Sequence, residues 1–290
     1  MSPPSISNHT NALAFEFVTQ LARELSEGKI ELPGFPHVFA RVCKAVHDPQ
    51  ITAEKMAGIV GAEPGLAARL LAGANSVAFN PGNQAVGDLP AAIVRLGSVK
   101  VRTISSAFAI AQLQHSTALQ AVASDMQNLW ERSTQVAALC YVVAGISKLN
   151  ADEAFLAGLL HGIGELYVLA RMAERADLLS AAADVHAVIS GWHTQIAKSL
   201  LENWNFPAHI VESVEEQDNA ARRPHAAADI ADALICAKQI YLHAKNADGL
   251  RAQVEGNRAF RQLRLDTDRC GAISIEAAAE IVALRAALGA

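Results

Sequence analysis

One histidine stands where a side chain could do chemistry. His161 falls in the middle of NADEAFLAGLLHGIGELYVLAR (Asn150 to Arg171), with apolar residues on both sides and two glycines, Gly162 and Gly164, close behind it. An imidazole set between two apolar helical segments is carried deep into a fold. There it either takes part in chemistry, as imidazoles do when they hold a metal, or it is a polar group satisfied by hydrogen bonds. Other chemistries lack their residues: no Gly-rich phosphate loop, no Ser/His/Asp arrangement and no zinc-finger spacing occurs. Cys43, Cys140, Cys236 and Cys270 lie far apart, without a CxxC pair, and read as buried reduced thiols.

The elements that must position His161 are helices. Asn150 can cap the segment that leads to it, Asp152 and Glu153 complement the dipole of its first turn, and Phe155, Leu156, Leu159 and Leu160 form an apolar face at helical spacing. The same period runs through the rest of the chain. Residues 1–10 are Ser/Pro/Asn-rich and expected to be disordered. A helix then spans Thr10 or Asn11 to about Glu27, followed by one carrying Val38, Val42 and Val46, one capped by Thr52, and one opened by Pro64. Residues 77–88 make the longest loop of this half, displaying Val77, Phe79, Asn80, Pro81 and Asn83. Helical patterns continue over LPAAIVRLG (89–97), roughly Val99 to Leu113, 117–147, 173–185, Trp192 to Trp204, from Pro207, from about Ala226, and over roughly 248–265 and 274–289, with Ser274 as the cap of the last. No alternating, strand-like run survives, so the fold class is all-α.

Composition narrows the function. The chain has 290 residues, 51% of them hydrophobic, enough for a sizeable core, and its abundance of Ala and Leu suits helices packed through small side chains. A formal net charge of −5 leaves no footprint for general nucleic-acid binding, and Arg258, Arg261 and Arg264 drift around their helix as a solvated face. Glu212, Glu215, Glu216 and Asp218 likewise read as a solvated acidic surface. No run approaches eighteen uninterrupted apolar residues and the N-terminus lacks a signal-peptide pattern, so the expectation is a soluble, cytoplasmic protein without a membrane partner.

Three stretches carry a resemblance: LPGFP, then DPQITAEKMAGIVGAEPGLAARLLAGANS, then AAIVRLGSVKVRTI. Their order and spacing are similar to the N-terminal half of the HDOD (HD-related output domain) family, and the likeness continues to about residue 240. The resemblance implies an N-terminal helical bundle, residues 11–116, packed on a degenerate HD-like helical core with C-terminal helices, residues 117–290. It also implies a bacterial signalling role. With residues 1–31 and 241–290 too short for a receiver, cyclase or DNA-binding domain, the signal is expected to arrive through a partner protein or a ligand.

The catalytic HD relatives hold one or two divalent metals with a His on one helix, a His-Asp dyad on the next and a distant Asp, and the metal lowers the pKa of the attacking water. Set against that pattern, this chain departs at most positions. Arg132 falls near the first His, and a guanidinium offers no lone pair. The dyad reads His161-Gly162, without its carboxylate. Glu165 replaces a Lys that often follows the dyad, and Gln217 and Asp218 replace a further His pair. His161, His193 and Asp232 remain as relics. The resemblance therefore implies no metal, no cofactor and no catalysis. It leaves room for an ion pair between Arg132 and Asp232 where a metal once sat, and for a small anionic ligand on Arg132. The alternative is a metal-dependent phosphodiesterase with a remodelled site. For partner binding, the loop with Phe79 is the candidate surface, unless Phe79 folds back as a plug between the two halves.

Overall fold

A computed structural model describes residues 16–288 apart from 18, 28–29, 31, 33, 77–79, 81–83, 115, 176–181, 220–221 and 223–226. The expectations for residues 1–10 and for Val77, Phe79, Pro81 and Asn83 lie outside the described residues. Among those described there is no strand. After a leading helical stretch at 19–26 come α1 (His37–Val46), α2 (Ala53–Val60), α3 (Pro64–Asn75) and α4 (Leu89–Gln114). A 3-10 turn, Thr117–Val122, leads to α5 (Ala123–Ile146), α6 (Ala151–Leu160), α7 (Ile163–Ala173), α8 (Ala182–Asn203) and α9 (Ala208–Glu215). A second 3-10 turn, Glu216–Asp218, precedes α10 (Ile230–Leu242), α11 (Ala247–Gly256), α12 (Arg258–Leu263) and α13 (Thr267–Leu288).

Local signals account for most boundaries. Thr52 accepts a hydrogen bond from the Lys55 amide, Asn150 from that of Glu153, and Pro64 occupies the first turn of α3. Gly97 sits at φ +69 inside α4 and divides it into the two helical segments that the sequence suggests. Four boundaries differ from expectation. The break expected between the helix over 173–185 and the one from Trp192 is absent, since α8 runs unbroken from Ala182. The helix expected from Ala226 starts at Ile230, because Asp229 and Asp232 form a reciprocal capping box there. The C-terminal pair is three helices. Ser274 is not a cap but lies inside α13, its hydroxyl donating to the Cys270 carbonyl, while Asp266 accepts from the Arg269 amide and starts the helix earlier.

In the first half, Asn75 mimics a peptide unit: its side chain donates to the Leu71 and Val86 carbonyls (3.0 and 2.9 Å) and accepts from the Val86 amide (2.7 Å), closing the base of the 77–88 loop. Leu66 and Leu70 of α3 are fully buried against this half's core. Replacing Leu70 by alanine is expected to cost about 2–5 kcal/mol; an unchanged chemical-denaturation midpoint would place the wrong face of α3 inward.

The second half is built on close helix contacts through small residues. α5 and α6 share the most extensive helix contact, and a Cβ at Gly158 would lie 2.6 Å from the Ala137 Cα. An aromatic cluster joins the halves: the Phe35 ring stacks on Trp204 at 4.8 Å, and Phe39 meets Trp204 edge-on at 5.0 Å. Arg102 of α4, 4% exposed, lies over the Phe206 ring at 5.0 Å. Ala151–Ala173 has the length and hydropathy of a membrane span, but 89% of its most apolar window is buried inside the protein, so its apolarity is core-forming. All four cysteines are free and buried.

Candidate functional site

His161 ends α6 and Gly162 begins the turn into α7, so the ring projects from a helix junction that two apolar segments anchor in the core. The ring is 2% exposed. Its Nδ1 lies 2.6 Å from the Gly158 carbonyl oxygen, which can only accept, so Nδ1 carries the proton and donates. Nε2 is then an acceptor, and it has no partner among the described residues. Burial, aided by the positive charges of Lys238 and Arg132, pushes the His161 pKa down to about 3 and keeps the ring neutral.

Around His161 lies a cavity of about 180 Å³, walled by α5, α7, α8, the 3-10 turn at Glu216–Asp218 and α10. Two ion pairs line it. Arg132 of α5 meets Glu165 of α7 (Nη2 to Oε2, 2.5 Å). Lys238 of α10 meets Asp218 (Nζ to Oδ1, 2.5 Å) and donates also to Gln217 Oε1 (2.7 Å). His193 of α8 brings Nε2 to within 2.9 Å of the other Asp218 oxygen. Burial alone would raise the Asp218 pKa, but the His193 hydrogen bond and the Lys238 charge outweigh it and hold this carboxyl below its usual range. Gln217, itself buried, donates to the His161 carbonyl (2.9 Å) and so fixes the backbone of the junction. Arg132 Nε and His193 Nδ1 are buried without hydrogen-bond partners.

The structure thus brings together Arg132, His161, Glu165 and His193, and leaves two expected members out. Asp232 faces another way: it caps α10 and accepts from Arg222 (3.1 Å), which also pairs with Asp229. The expected Arg132–Asp232 pair does not form, because Glu165 of α7 takes the Arg132 guanidinium and Asp232 is spent on its own helix end. Gly162 does not line the cavity. A Cβ there would point at Leu129 Cδ1 (2.6 Å) and Ser133 Oγ (3.2 Å), beside a separate void of about 10 Å³.

Asp218, which the resemblance aligns with a lost histidine pair and the charge pattern places on a solvated acidic surface, is the hub between Lys238 and His193. Lys238 is the member that the sequence reading lacks, although it is the lone charged residue between Asp232 and Leu242 in IADALICAKQIYL, and a cation on an apolar helix face demands a partner. Among the described residues, no group of three or more His, Cys, Asp or Glu side chains is arranged to hold a metal ion.

The architecture is that of an all-α protein with an HD-like helical core, and solved structures share it. A protein from Shewanella amazonensis SB2B, provisionally named a metal-dependent phosphohydrolase, superposes with a TM-score of 0.67 at 22% identity, over 91% of this chain and 99% of its own. An HDOD domain protein of unknown function from Geobacter sulfurreducens gives 0.61 at 21% identity, over 94% and 98%. A protein from Marinobacter aquaeolei VT8, provisionally named a signal transduction protein, gives 0.55 at 20% identity, over 89% and 61%. None of the curated proteins matches. The HDOD domain model matches residues 32–220, and the chain belongs to the HDOD family.

Proposed function

We infer that this HDOD protein is a non-catalytic signal-transduction module of the bacterial cytoplasm, working by contact with a protein partner or by holding a small ligand. The observation that carries the reading is the pairing inside the pocket. Glu165 and Asp218, the carboxylates that line it, already hold the Arg132 guanidinium and the Lys238 ammonium. Hard divalent metals need oxygen ligands with uncompensated charge. Here two side-chain cations stand at the carboxylates, and a metal would have to evict both. These residues do not suit a metal, and no hydrolytic step is built on one. The family, and the name given to the Marinobacter relative, fit a regulatory role.

The second reading, a metal-dependent phosphodiesterase with a remodelled site, is the one that the name of the Shewanella relative carries. Elemental analysis of the purified chain and a phosphodiester hydrolysis assay with added manganese separate the two. The expected result is no stoichiometric transition metal and no hydrolysis. About one tightly bound iron or manganese per chain, or metal-dependent turnover, would overturn the non-catalytic reading.

A further inference from the structure

The pocket's chemistry specifies a ligand more narrowly than its outline does. Its charges cancel in pairs, Arg132 with Glu165 and Lys238 with Asp218. An ionic ligand would lose its hydration and meet no free counter-charge. This argues against the anionic ligand that Arg132 by itself suggests. His161 adds a directional requirement: with Nδ1 donating to Gly158, the neutral ring can only accept at Nε2, so it calls for an N–H or O–H. The Nδ1–H bond to the Gly158 carbonyl sets the orientation of the ring, so Nε2 stays available as an acceptor. The rest of the wall is the His193 ring, whose Nε2 already meets Asp218, and the side chains of Val136, Tyr241 and Leu242, with Leu242 60% exposed. Size sets the last bound. A cavity of about 150 Å³ holds a benzene ring, and this one, about 180 Å³, encloses a single substituted ring.

We propose that this pocket binds an uncharged single-ring heterocycle bearing a ring N–H, of the pyrimidine-base class, which donates to His161 Nε2 and packs against Val136, Tyr241 and Leu242. The proposal rests on the non-catalytic reading, because a metal in the pocket would take the His161 lone pair. It makes the pocket a sensor site whose occupancy can be relayed to a partner.

Saturation-transfer NMR on the full chain, with uracil as the probe and inorganic phosphate as competitor, tests it. Uracil ring protons should receive saturation, and excess phosphate should leave the signal unchanged. His161→Phe keeps a ring of similar size and removes the acceptor; it should weaken binding at least about tenfold, the equivalent of one buried hydrogen bond left unmade. Leu242→Ala, at an exposed position that the fold does not depend on, should weaken it about threefold by loss of apolar contact, and it carries the test alone if His161→Phe fails to fold. No transfer to uracil, displacement by phosphate, or unchanged binding to the folded variants overturns the proposal. Bound metal or phosphodiester turnover would instead overturn the reading beneath it, so the two failures are distinct.

Discussion

Gly164→Ala is expected to cost the fold more than about 3 kcal/mol, although by local rules it should help. Within a helix interior alanine is favoured over glycine by about 1 kcal/mol, and Gly164 lies in the first turn of α7. The opposing effect is a backbone contact. A Cβ on Gly164 would stand 1.9 Å from the His193 carbonyl oxygen and 2.7 Å from its carbon. Those atoms belong to α8, so no rotamer change relieves the clash and the two helices must part. Overpacking in well-packed cores typically costs about 1–3 kcal/mol where side chains can yield, and here none can. The effect should also reach the pocket, because α8 carries His193. Gly271→Ala is the control: it lies in α13, a Cβ there meets nothing within 4 Å, and about 0.5–1 kcal/mol of stabilisation is expected. Chemical denaturation of both variants checks the pair. A Gly164→Ala midpoint equal to that of the parent would show that α7 and α8 do not approach as closely as described.

Restoring the missing dyad residue, Gly162→Asp, should lower stability by about 2–4 kcal/mol and create no metal site. An aspartate at a helix N-cap ordinarily stabilises by about 1 kcal/mol, and Gly162 holds the N-cap position of α7. The new side chain, however, is directed at Leu129 and Ser133 of α5, away from the cavity that holds His161 and Glu165. Leu129 must be displaced, and the carboxylate enters an apolar recess in which the Ser133 hydroxyl is the nearest polar group. Overpacking and desolvation together exceed the gain from capping. Gly162→Ala isolates the volume contribution, and the difference between the two variants reports the buried charge. Elemental analysis of Gly162→Asp gives the functional half of the test. Stoichiometric metal in that variant would mean that position 162 reaches the pocket and that a single substitution separates this protein from a metal centre.

Helices, and most of their ends, are local matters, which is why they were legible in the chain. Asn150, Thr52 and Pro64 satisfy or dispense with amides of their own helices, and the apolar period at Phe155, Leu156, Leu159 and Leu160 needs no knowledge of what it packs against. Errors arose where two local signals competed. Asp266 captured the start of α13 before Ser274 could, and Asp229 with Asp232 fixed the start of α10.

The depth of His161 was likewise readable, since apolar residues on both sides leave a side chain no route to solvent. Its partners were not. Arg132, Glu165, Asp218 and Lys238 come from four separate elements, and which cation meets which carboxylate depends on the rotation and approach of α5, α7 and α10, set by contacts such as Gly158 against Ala137 and Gly164 against His193. A pairing inferred from aligned positions, Arg132 with Asp232, failed because a carboxylate closes to the nearest donors available, and for Asp232 these were its own helix end and Arg222. The sequence by itself determined an all-helical chain with an imidazole buried between two apolar helical segments. Only the tertiary structure decided that the charges around that imidazole cancel one another, because ion pairing depends on distances of a few ångströms between residues far apart in the chain.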